Sequence, residues 1–547
     1  MNHARCFPKS AVVRQTLGSL AALTLCLLLT TVQTVAAKLP PAPNVEKVKL
    51  QELKRHLSFL SSPEVGGRFT FSVGNRVAAR YLASQLEFFG FQGAMPDKSF
   101  FQVVPFTRRE VDLAKTRLTL GNNPTAFHYL DDFIVYEQTC PQKVEATADL
   151  VFVGYGYSSP ENGYDDYQGL DVKGKIVVTI PFGTPKVLEG KTLPNSAIGV
   201  GAAEAHGAVG VITIPDSFSE DIWKAIKAGA AMYGGRPSLK LTIPGNGDPL
   251  PRIPNILAGP KLATSLMDLL GMKYDDLRKL ADVGDTIKPQ VLNTSCQASI
   301  VYPEILIDQA RNVVGILEGS DPKLKNEYIV LSAHYDHLEG NEKRYFPGAD
   351  DDGSGTSAVL ELARVLGAER PRRSVIVLFN TGEEIGLLGS EYFVENSPVP
   401  LSQIVANFNI DMIGRSRAEG DTKQENSKLT DANSVYLIGP DKHSTELFAI
   451  SEVTNQEITK FTIDYTYNNE NDPSRFFYRS DHWNFAKKGI PVIFYFNGVH
   501  EDYHRPTDTL DKIDFEKMTR VTRLVYATMW RVANLDERLK IDRWKTE

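Results

Sequence analysis

The segment A-H-Y-D-H-L-E-G at residues 333–340 is followed closely by P-G-A-D-D-D-G-S-G at residues 347–355. Together the two segments hold two histidines and four aspartates, directly behind the apolar run at 328–331. A short apolar run bounded by polar residues predicts a buried strand. Imidazole and carboxylate groups are ligands that a divalent first-row metal takes from a protein. This stretch therefore predicts a metal site at the end of a strand.

Apolar runs alternate with helical patterns through the second half of the chain. The predicted strands cover 313–317, 329–331, 375–379, 405–409 and 492–496. Helical patterns follow several of these runs, for example at 356–366 and 515–532. Strands that alternate with helices indicate a layered α/β structure. We therefore predict an α/β fold with a mostly parallel mixed sheet flanked by helices.

The candidate ligands of this half each follow one of the predicted strands. They are His334 and Asp336, Glu383 and Glu384, Asp411, and His504. Ligands of open α/β sheets bind at the carboxyl ends of the strands, so we expect these side chains to meet at one edge. Each motif alone has a simpler explanation, because Asp-Asp-Asp-Gly is often a solvated turn and Glu-Glu a helix cap. Their shared position at strand ends favours the metal site.

The number and kind of candidate ligands favour two metal ions. Histidines and carboxylates without cysteine suit zinc or a similar metal, and they exceed what one catalytic zinc normally takes from a protein. Two metal ions that share a bridging carboxylate are a known hydrolytic arrangement. One glutamate of the adjacent pair can then bind metal while the other takes a proton from water.

The first 37 residues have the pattern of a secretory signal. Three basic residues precede an apolar run at 17–30, and the small residues Val35-Ala36-Ala37 end it. The run is too short for a membrane span, and Leu25 before Cys26 argues against a lipid anchor. We predict cleavage after Ala37 and a secreted or periplasmic protein.

Length, charge and cysteines narrow the class of protein. A chain of 547 residues exceeds what one hydrophobic core usually supports, so two or more domains are expected. Loss of residues 1–37 would change the formal net charge from −7 to −10, which argues against nucleic acid or an anionic membrane as a partner. Cys140 and Cys296 would remain, either as a disulfide or as two buried thiols.

The first half of the chain predicts packing elements and a separate module. Two helices are predicted over 46–61 and 75–89, with His56 among basic residues at the surface. Further along, short apolar runs alternate with Gly- and Pro-rich turns, which predicts a β-rich module. Gly-Val-Gly at 199–201 lacks the third glycine of a dinucleotide loop, because Glu204 stands there. The module would be inserted before the metal-binding stretch, where it could gate a cleft.

Five segments resemble the co-catalytic dizinc peptidases of the aminopeptidase Y family, which includes the glutamate carboxypeptidases. They are A-H-Y-D-H (333–337), P-G-A-D-D-D-G-S-G (347–355), T-G-E-E-I-G-L-L-G-S (381–390), N-I-D-M-I-G (409–414) and Y-H-R-P-T-D-T-L (503–510). The β-rich module resembles the protease-associated domain that many members carry. The expected layout is a catalytic domain from residues 38–140 and 296–547, interrupted at 141–295 by the protease-associated domain and a return segment.

The resemblance implies two Zn²⁺ ions per chain and a ligand set for them. Asp351 would bridge the two ions. One ion would take His334 and Asp411 besides, and the other would take Glu384 and His504.

The resemblance also implies roles beyond the ligands. Glu383 would be the general base, Asp336 would orient His334, and Tyr503 would stabilise the oxyanion. Family members commonly have a cis peptide bond at the position of Asp351-Asp352. His337 falls outside the ligand set of the family. Ser480-Asp481-His482 is expected first to begin a helix as its cap, and the resemblance leaves open a supporting role near the substrate cleft.

The implied activity is that of an exopeptidase acting on peptides, with an aminopeptidase expected first. A carboxypeptidase of the glutamate carboxypeptidase type is the nearest alternative, and it would need a basic residue for the substrate carboxylate. The candidates for that residue are Arg415, Arg475, Arg479 and Arg505. A receptor-like binding protein on the same fold and a single-zinc glutaminyl cyclase are further alternatives, both disfavoured by the complete ligand set. Neither a nucleic-acid partner nor a membrane anchor after signal cleavage is expected.

Overall fold

The computed structural model describes residues 39–543 except for residue 110, 122–125, 136–139, 142, 230–237, 242–252, 308–309, 341–343 and residue 470. The chain divides into two compact units. The first contains the residues up to Val104 and from Asp308 onward, and the second runs from Pro105 to Ile307. The predicted signal at 1–37 lies outside the described residues.

Within the described residues, the first unit is built on a nine-stranded sheet. The strands are β1 (Gln92–Gly93), β2 (Phe101–Val103), β3 (Arg311–Leu317), β4 (Tyr328–His334), β5 (Ser374–Asn380), β6 (Ile404–Ile410), β7 (Ser434–Ile438), β8 (Thr462–Asp464) and β9 (Val492–Phe496). Their order across the sheet is β1-β3-β5-β4-β6-β9-β7-β8, and β2 also pairs with β3.

The middle of this sheet is parallel. β5, β4, β6 and β9 are parallel neighbours in that order, and β3 and β7 flank them as antiparallel strands. Every residue of β5, β6 and β9 is buried. Burial on both faces explains their near-continuous apolar sequences. The predicted α/β class with a mostly parallel mixed sheet is confirmed.

Helices cover both faces of the sheet of the first unit. They are α1 (Leu50–Leu60), α2 (Val73–Phe88), α3 (Gly355–Ala368), α4 (Leu388–Glu395), α5 (Thr445–Ile458), α6 (His482–Ala486) and α7 (Phe515–Asn534). The first two confirm the predicted N-terminal helices. Ser72 begins α2 by accepting a hydrogen bond from the N–H of Asn75, and Gly90 after its end has φ 87°, a conformation that favours glycine. One hydrophobic core joins α1, α2, α3, α5 and α7 to the sheet, and another contains α4 and α6.

The prediction that His56 lies at the surface is wrong. His56 is fully buried on α1, because it shares a helix face with Leu53, Leu57 and Leu60. Its Nδ1 atom lies 2.9 Å from the phenolic oxygen of Tyr81 on α2. Burial lowers the pKa of His56 to about 3, so the imidazole is neutral at pH 7.

The second unit has its own sheet and its own core. Across the sheet, the strands among the described residues are Phe127–His128, Arg117–Leu120, Gln290–Val301, Lys143–Phe152, Ile176–Thr179, Gly210–Thr213, Asn255–Ala258 and Phe133–Val135. Smaller sheets join Ser238–Leu241, Phe106–Arg109 and Glu304–Ile307, and Ser158–Ser159 with Tyr164–Asp165. The helices are Gly199–Ala205, Glu220–Gly229, Pro260–Leu270 and Tyr274–Asp282.

The second unit extends beyond the predicted limits 141 and 295 on both sides. Gln290–Val301 crosses the predicted end and pairs antiparallel with Lys143–Phe152. Arg117–Leu120 pairs with the other edge of Gln290–Val301, so residues before 141 belong to this sheet as well. Such long-range pairing leaves no mark in local sequence patterns, which is why the predicted limits differ from those of the structure.

Cys140 and Cys296, for which the sequence allowed a disulfide, both lie in the second unit. Cys140 and Cys296 are both buried, and Cys296 is a free thiol. Burial raises the pKa of Cys296 to about 12. The structure therefore has no disulfide between the two.

Among the described residues, no helix has the length and apolar character needed to cross a membrane.

Candidate metal centre

The candidate ligands lie at the carboxyl ends of the parallel strands. His334 is the last residue of β4, and Asp411 directly follows β6. Glu383-Glu384 lies in the loop after β5, and His504 lies in the loop after β9. Asp351 lies in the turn between β4 and α3. The sheet thus brings segments that are far apart in sequence to one edge.

Asp351 lies between two histidines. Its Oδ1 atom is 3.2 Å from Nε2 of His334, and its Oδ2 atom is 3.2 Å from Nε2 of His504. On one side, Nε2 of His334 is also 3.5 Å from Oδ1 of Asp411. On the other side, Nε2 of His504 is 3.0 Å from Oε2 of Glu384. The five side chains form two neighbouring groups that share one carboxylate.

This donor set fits metal ions. Oδ2 of Asp351 and Oδ1 of Asp411 are buried and accept no hydrogen bond from the described residues. A buried carboxylate oxygen without a donor is costly unless a cation compensates it. Ligand atoms of His334, Asp351 and Glu384 all lie within 4.8 Å of one another, and imidazole with carboxylate is a donor set typical of zinc. A cation at this edge would satisfy both orphaned oxygens.

Asp336 connects the candidate ligand His334 to the loop of Glu383. Its carboxylate accepts hydrogen bonds from the hydroxyl of Thr70 at 2.9 Å and from the N–H of Glu383 at 3.2 Å. Nδ1 of His334 lies 3.3 Å from the backbone oxygen of Asp336 and 3.7 Å from its Oδ1 atom. The carboxyl group and the backbone of this one residue therefore both contact the site.

Asp411 is held by a hydrogen-bonded chain that the sequence reasoning missed. The hydroxyl of Ser480 donates to Oδ2 of Asp411 at 2.7 Å, and Nδ2 of Asn409 donates to Ser480 at 2.9 Å. Asp481 occupies the cap position of α6, but its side chain makes no capping hydrogen bond. Burial raises the pKa of Asp481 to about 7. The Ser-Asp-His sequence at the start of α6 was the available signal, and it indicated a helix cap first and a supporting role at the cleft second.

Two further histidines support the centre. Nδ1 of His337 lies 2.7 Å from Oε1 of Glu384 and 3.8 Å from Oδ2 of Asp351. His337 thus contacts two of the candidate ligands. His500, which the sequence left without a role, has its Nε2 atom 3.2 Å from Oδ2 of Asp350, the residue before Asp351.

The environment shifts the pKa values of the adjacent glutamates in opposite directions. Burial raises the pKa of Glu383 well above its ordinary value, and the charges of Glu384 and Asp411 add to this. Burial also opposes ionisation of Glu384, but the hydrogen bonds with His337 and His504 outweigh it and lower its pKa. Two carboxyl groups whose pKa values are pushed apart are suited to different roles.

Tyr503 and Arg479 stand at the edge of the centre. The ring of Tyr503 stacks on that of His504 with centroids 3.8 Å apart. Burial, with the charges of the nearby carboxylates, raises the pKa of Tyr503, so the phenol keeps its proton. Nη2 of Arg479 lies 3.3 Å from the phenolic oxygen. Both residues line a pocket with Glu383 and four of the candidate ligands, His334, Asp351, Glu384 and Asp411. The apolar side chains of this pocket are Met412, Phe476, Phe494, Phe496 and Val499.

The peptide bond between Asp351 and Asp352 is cis, as the resemblance led us to expect. Asp352 is buried, and its Oδ1 atom accepts hydrogen bonds from the N–H groups of Gly355 at 2.8 Å and Met412 at 3.1 Å. The residue after the shared carboxylate therefore connects the turn to the loop behind Asp411.

Comparison with known proteins identifies the part of the chain that carries this centre. Residues 312–529 match the sequence model of peptidase family M28. The chain contains a peptidase M28 domain. The family resemblance predicted from the five segments is thereby confirmed, and all five candidate ligands lie inside the matched region of the M28 domain.

Individual relatives agree with this assignment. The chain is 26% identical to aminopeptidase YwaD of Bacillus subtilis (strain 168) over 372 residues, which cover 65% of this chain and 70% of the relative. It is 30% identical over 252 residues to a probable zinc metalloprotease of Pyrenophora tritici-repentis (strain Pt-1C-BFP), covering 41% and 56% of the two chains. The chain spans about half the length of the fungal metalloproteases it matches.

A solved structure supports the fold. The aminopeptidase from Aneurinibacillus sp. strain AM-1 superposes with a TM-score of 0.50 and 19% sequence identity, covering 92% of this chain and 98% of that one. The mixed α/β architecture of the M28 domain is therefore shared with this enzyme.

Proposed function

We propose that the protein is a zinc-dependent exopeptidase that removes N-terminal residues from peptides and uses two Zn²⁺ ions per chain. The observation that carries the proposal is the position of Asp351, whose two oxygens each lie 3.2 Å from a different histidine. A carboxylate shared between two groups of ligands is the arrangement that paired hydrolytic metals require. The M28 domain and the zinc enzymes among the relatives support the choice of metal and reaction.

The five converging side chains would hold the two ions. His334 and Asp411 would serve one position, Glu384 and His504 the other, and Asp351 would bridge them. When bound, zinc polarises a carbonyl and lowers the pKa of water to about 7. His337 and Ser480 would keep Glu384 and Asp411 oriented, since each contacts its partner at 2.7 Å.

The remaining side chains would move protons and stabilise charge. Glu383 would accept a proton from the attacking water and return it to the leaving amine, for which its raised pKa suits it. Asp336 would orient both His334 and the Glu383 backbone. Tyr503 would donate its phenolic hydrogen to the oxyanion of the tetrahedral intermediate.

A relative favours an aminopeptidase, because aminopeptidase YwaD of Bacillus subtilis is matched over 70% of its length. The charge of the pocket does not separate the two activities, since Asp351, Glu384 and Asp411 would be neutralised by the proposed zinc ions. The apolar part of the wall favours substrates whose first side chain is apolar. We therefore expect cleavage of leucyl or phenylalanyl substrates over glutamyl substrates.

One observation favours the alternative of a carboxypeptidase. Arg479 lines the same pocket and has no carboxylate partner among the described residues, so it could bind a substrate carboxylate. Arg415, another candidate for that role, is buried and has its Nη2 atom 3.0 Å from Oδ2 of Asp502. Arg475 stacks on the ring of Tyr478, and Arg505 does not line the pocket.

Blocked dipeptides separate the two activities. The protein is incubated with Leu-Phe, with the N-acetylated dipeptide and with the C-terminal amide, and the products of each reaction are identified. Cleavage of the amide releases leucine, whereas cleavage of the acetylated dipeptide releases phenylalanine. An aminopeptidase cleaves the amide and spares the acetylated form. Cleavage of the acetylated dipeptide with loss of activity on the amide would establish the carboxypeptidase instead.

The role of the second unit and the location of the protein in the cell are also proposed. We propose that the second unit, Pro105–Ile307, contains the protease-associated domain predicted at 141–295. Its β-rich sheet supports this, and we propose that the domain influences which peptides reach the M28 domain. We also propose export by the signal at 1–37 to a secreted or periplasmic location, without a membrane anchor or nucleic-acid partner. Sequencing the N-terminus of the protein recovered outside the cytoplasm tests cleavage after Ala37.

A further inference from the structure

Asp508 binds the turn that carries the shared carboxylate. It is fully buried in the loop after His504. Its Oδ2 atom accepts hydrogen bonds from the N–H of Asp350 at 2.9 Å and from the N–H of Asp351 at 3.1 Å. Its backbone oxygen accepts a third from the N–H of Ala349 at 3.1 Å. One residue of the His504 loop therefore holds three consecutive residues of the Asp351 turn.

A neutral residue could fill the same space at lower cost. The Oδ1 atom of Asp508 accepts no hydrogen bond from the described residues. Its closest cation is Arg415, with Nη1 at 3.9 Å from Oδ1. A buried carboxylate that is poorly compensated by charge is costly. The hydrogen bonds that Asp508 accepts from the turn offset part of this cost.

Arg68 holds the opposite side of the same turn. This guanidinium is fully buried and donates to backbone oxygens of Pro347 at 2.6 Å and Gly348 at 2.9 Å, and to that of Asp351 at 3.4 Å. Asp508 thus binds N–H groups of the turn while Arg68 binds its carbonyl groups. The backbone of the turn is fixed from both sides, and the shared carboxylate projects from it.

The two groups of candidate ligands depend on different supports. The Asp411 loop is tied to the turn by Asp352, through the N–H of Met412, and Ser480 binds Asp411 itself. The His504 loop is tied to the turn by Asp508 and by His500, whose Nε2 atom lies 3.2 Å from Oδ2 of Asp350. The Asp508 contacts therefore contribute to the distance of 3.2 Å between Oδ2 of Asp351 and Nε2 of His504.

We propose that Asp508 is a positioning residue for the zinc position formed by Asp351, Glu384 and His504, and that it affects the position formed by Asp351, His334 and Asp411 less, because Asp352 and Ser480 also support that side. This inference rests on the proposed dizinc function. Carboxylates that orient metal ligands typically contribute a factor of about 10 to 100 to metal affinity.

The test follows zinc release from the holoenzyme to a competing chelator in the wild type, Asp508→Ala and Asp508→Asn. Asp511→Asn is the matched control, because Asp511 is an exposed aspartate of the same segment. We expect Asp508→Ala to weaken zinc binding about 10- to 100-fold in one of two release steps and to weaken it less in the other. Asp508→Asn should lie between, since an amide oxygen still accepts a hydrogen bond from the turn. The control should match the wild type.

The same substitution in a His504→Ala variant shows which of the two zinc positions Asp508 supports. In His504→Ala protein, Asp508→Ala should weaken binding of the remaining zinc by less than about 10-fold, whereas a general loss of structure would weaken it at least as much as the first position. Equal weakening of zinc binding in both steps, or wild-type affinity in both Asp508 variants, would overturn the inference. If the wild type still binds two zinc ions in that case, the proposed function stands. A wild type with fewer than two ions contradicts the proposed function and the inference with it. If Asp508→Ala does not fold, as judged by its thermal midpoint with excess zinc, Asp508→Asn decides.

Discussion

Nη2 of Arg479 lies 3.3 Å from the phenolic oxygen of Tyr503, at the rim of the candidate metal centre. A guanidinium group can only donate hydrogen bonds, so the phenolic oxygen is the acceptor. The phenolic hydrogen is then free to point toward the pocket that both residues line. The nearby positive charge also makes the phenol a stronger donor.

Replacement of Tyr503 by phenylalanine should therefore impair turnover and spare binding. Loss of one oxyanion donor typically lowers kcat by about 10²- to 10³-fold, and we expect a KM close to that of the wild type. Steady-state kinetics with leucine p-nitroanilide measure both constants. Tyr465→Phe is a suitable control, because the Tyr465 hydroxyl binds Glu452, far along the chain from the ligand segments. A Tyr503→Phe enzyme with unchanged kcat would remove Tyr503 from the mechanism.

Replacement of Glu383 by glutamine should abolish most activity and leave the metal in place. The amide cannot accept the proton of water, and loss of a general base typically costs about 10²- to 10⁴-fold. Glu383→Ala should behave alike. Since Glu383 is not among the proposed ligands, zinc per chain should equal that of the wild type when measured by elemental analysis.

Two results would refute this role for Glu383. One is retained activity in Glu383→Gln, and the other is loss of zinc together with activity, which would make Glu383 a ligand. Glu395→Gln controls for the removal of a glutamate charge, because Glu395 is exposed at the end of α4.

The burial of His56 predicts a pH-dependent stability. Its folded-state pKa of about 3 lies below the ordinary 6.5, so the unfolded chain binds a proton more readily. Stability is therefore lost as the pH falls below 6.5 toward 3. At pH 5 this one group should cost about 2 kcal/mol relative to pH 7.5.

Urea unfolding of the wild type and His56→Gln measures this effect. The variant should lose less stability than the wild type between pH 7.5 and pH 5, whatever its stability at neutral pH. His128→Gln serves as the control, because His128 is exposed. An equal pH dependence in wild type and His56→Gln would show that the pKa of His56 is the same in the folded and unfolded states, which contradicts the prediction.

The strands and the candidate ligands of the M28 domain were accessible from sequence because their signals are local. A run such as Val492–Phe496 is apolar throughout, since it is buried on both faces. His334 and Asp411 stand where such runs end, and parallel strands bring those ends together.

Other features depend on contacts between distant segments. The limits of the second unit follow from pairing between Arg117–Leu120 and Gln290–Val301, which no local pattern records. The contacts of Ser480 with Asp411 and of Asp508 with the Asp351 turn likewise join loops far apart in sequence. The prediction for His56 was wrong because it followed the charged neighbours in sequence and not the helical spacing that His56 shares with the buried leucines.

The central claim is that five side chains from distant loops hold two metal ions around one shared carboxylate. The most direct measurement is the zinc content of the purified wild-type protein, with peptidase activity followed as zinc is removed by a chelator and restored. The account predicts two zinc ions per chain, loss of activity on removal and recovery on restoration. Full peptidase activity in protein that holds no metal, or saturation at a single ion, would contradict it.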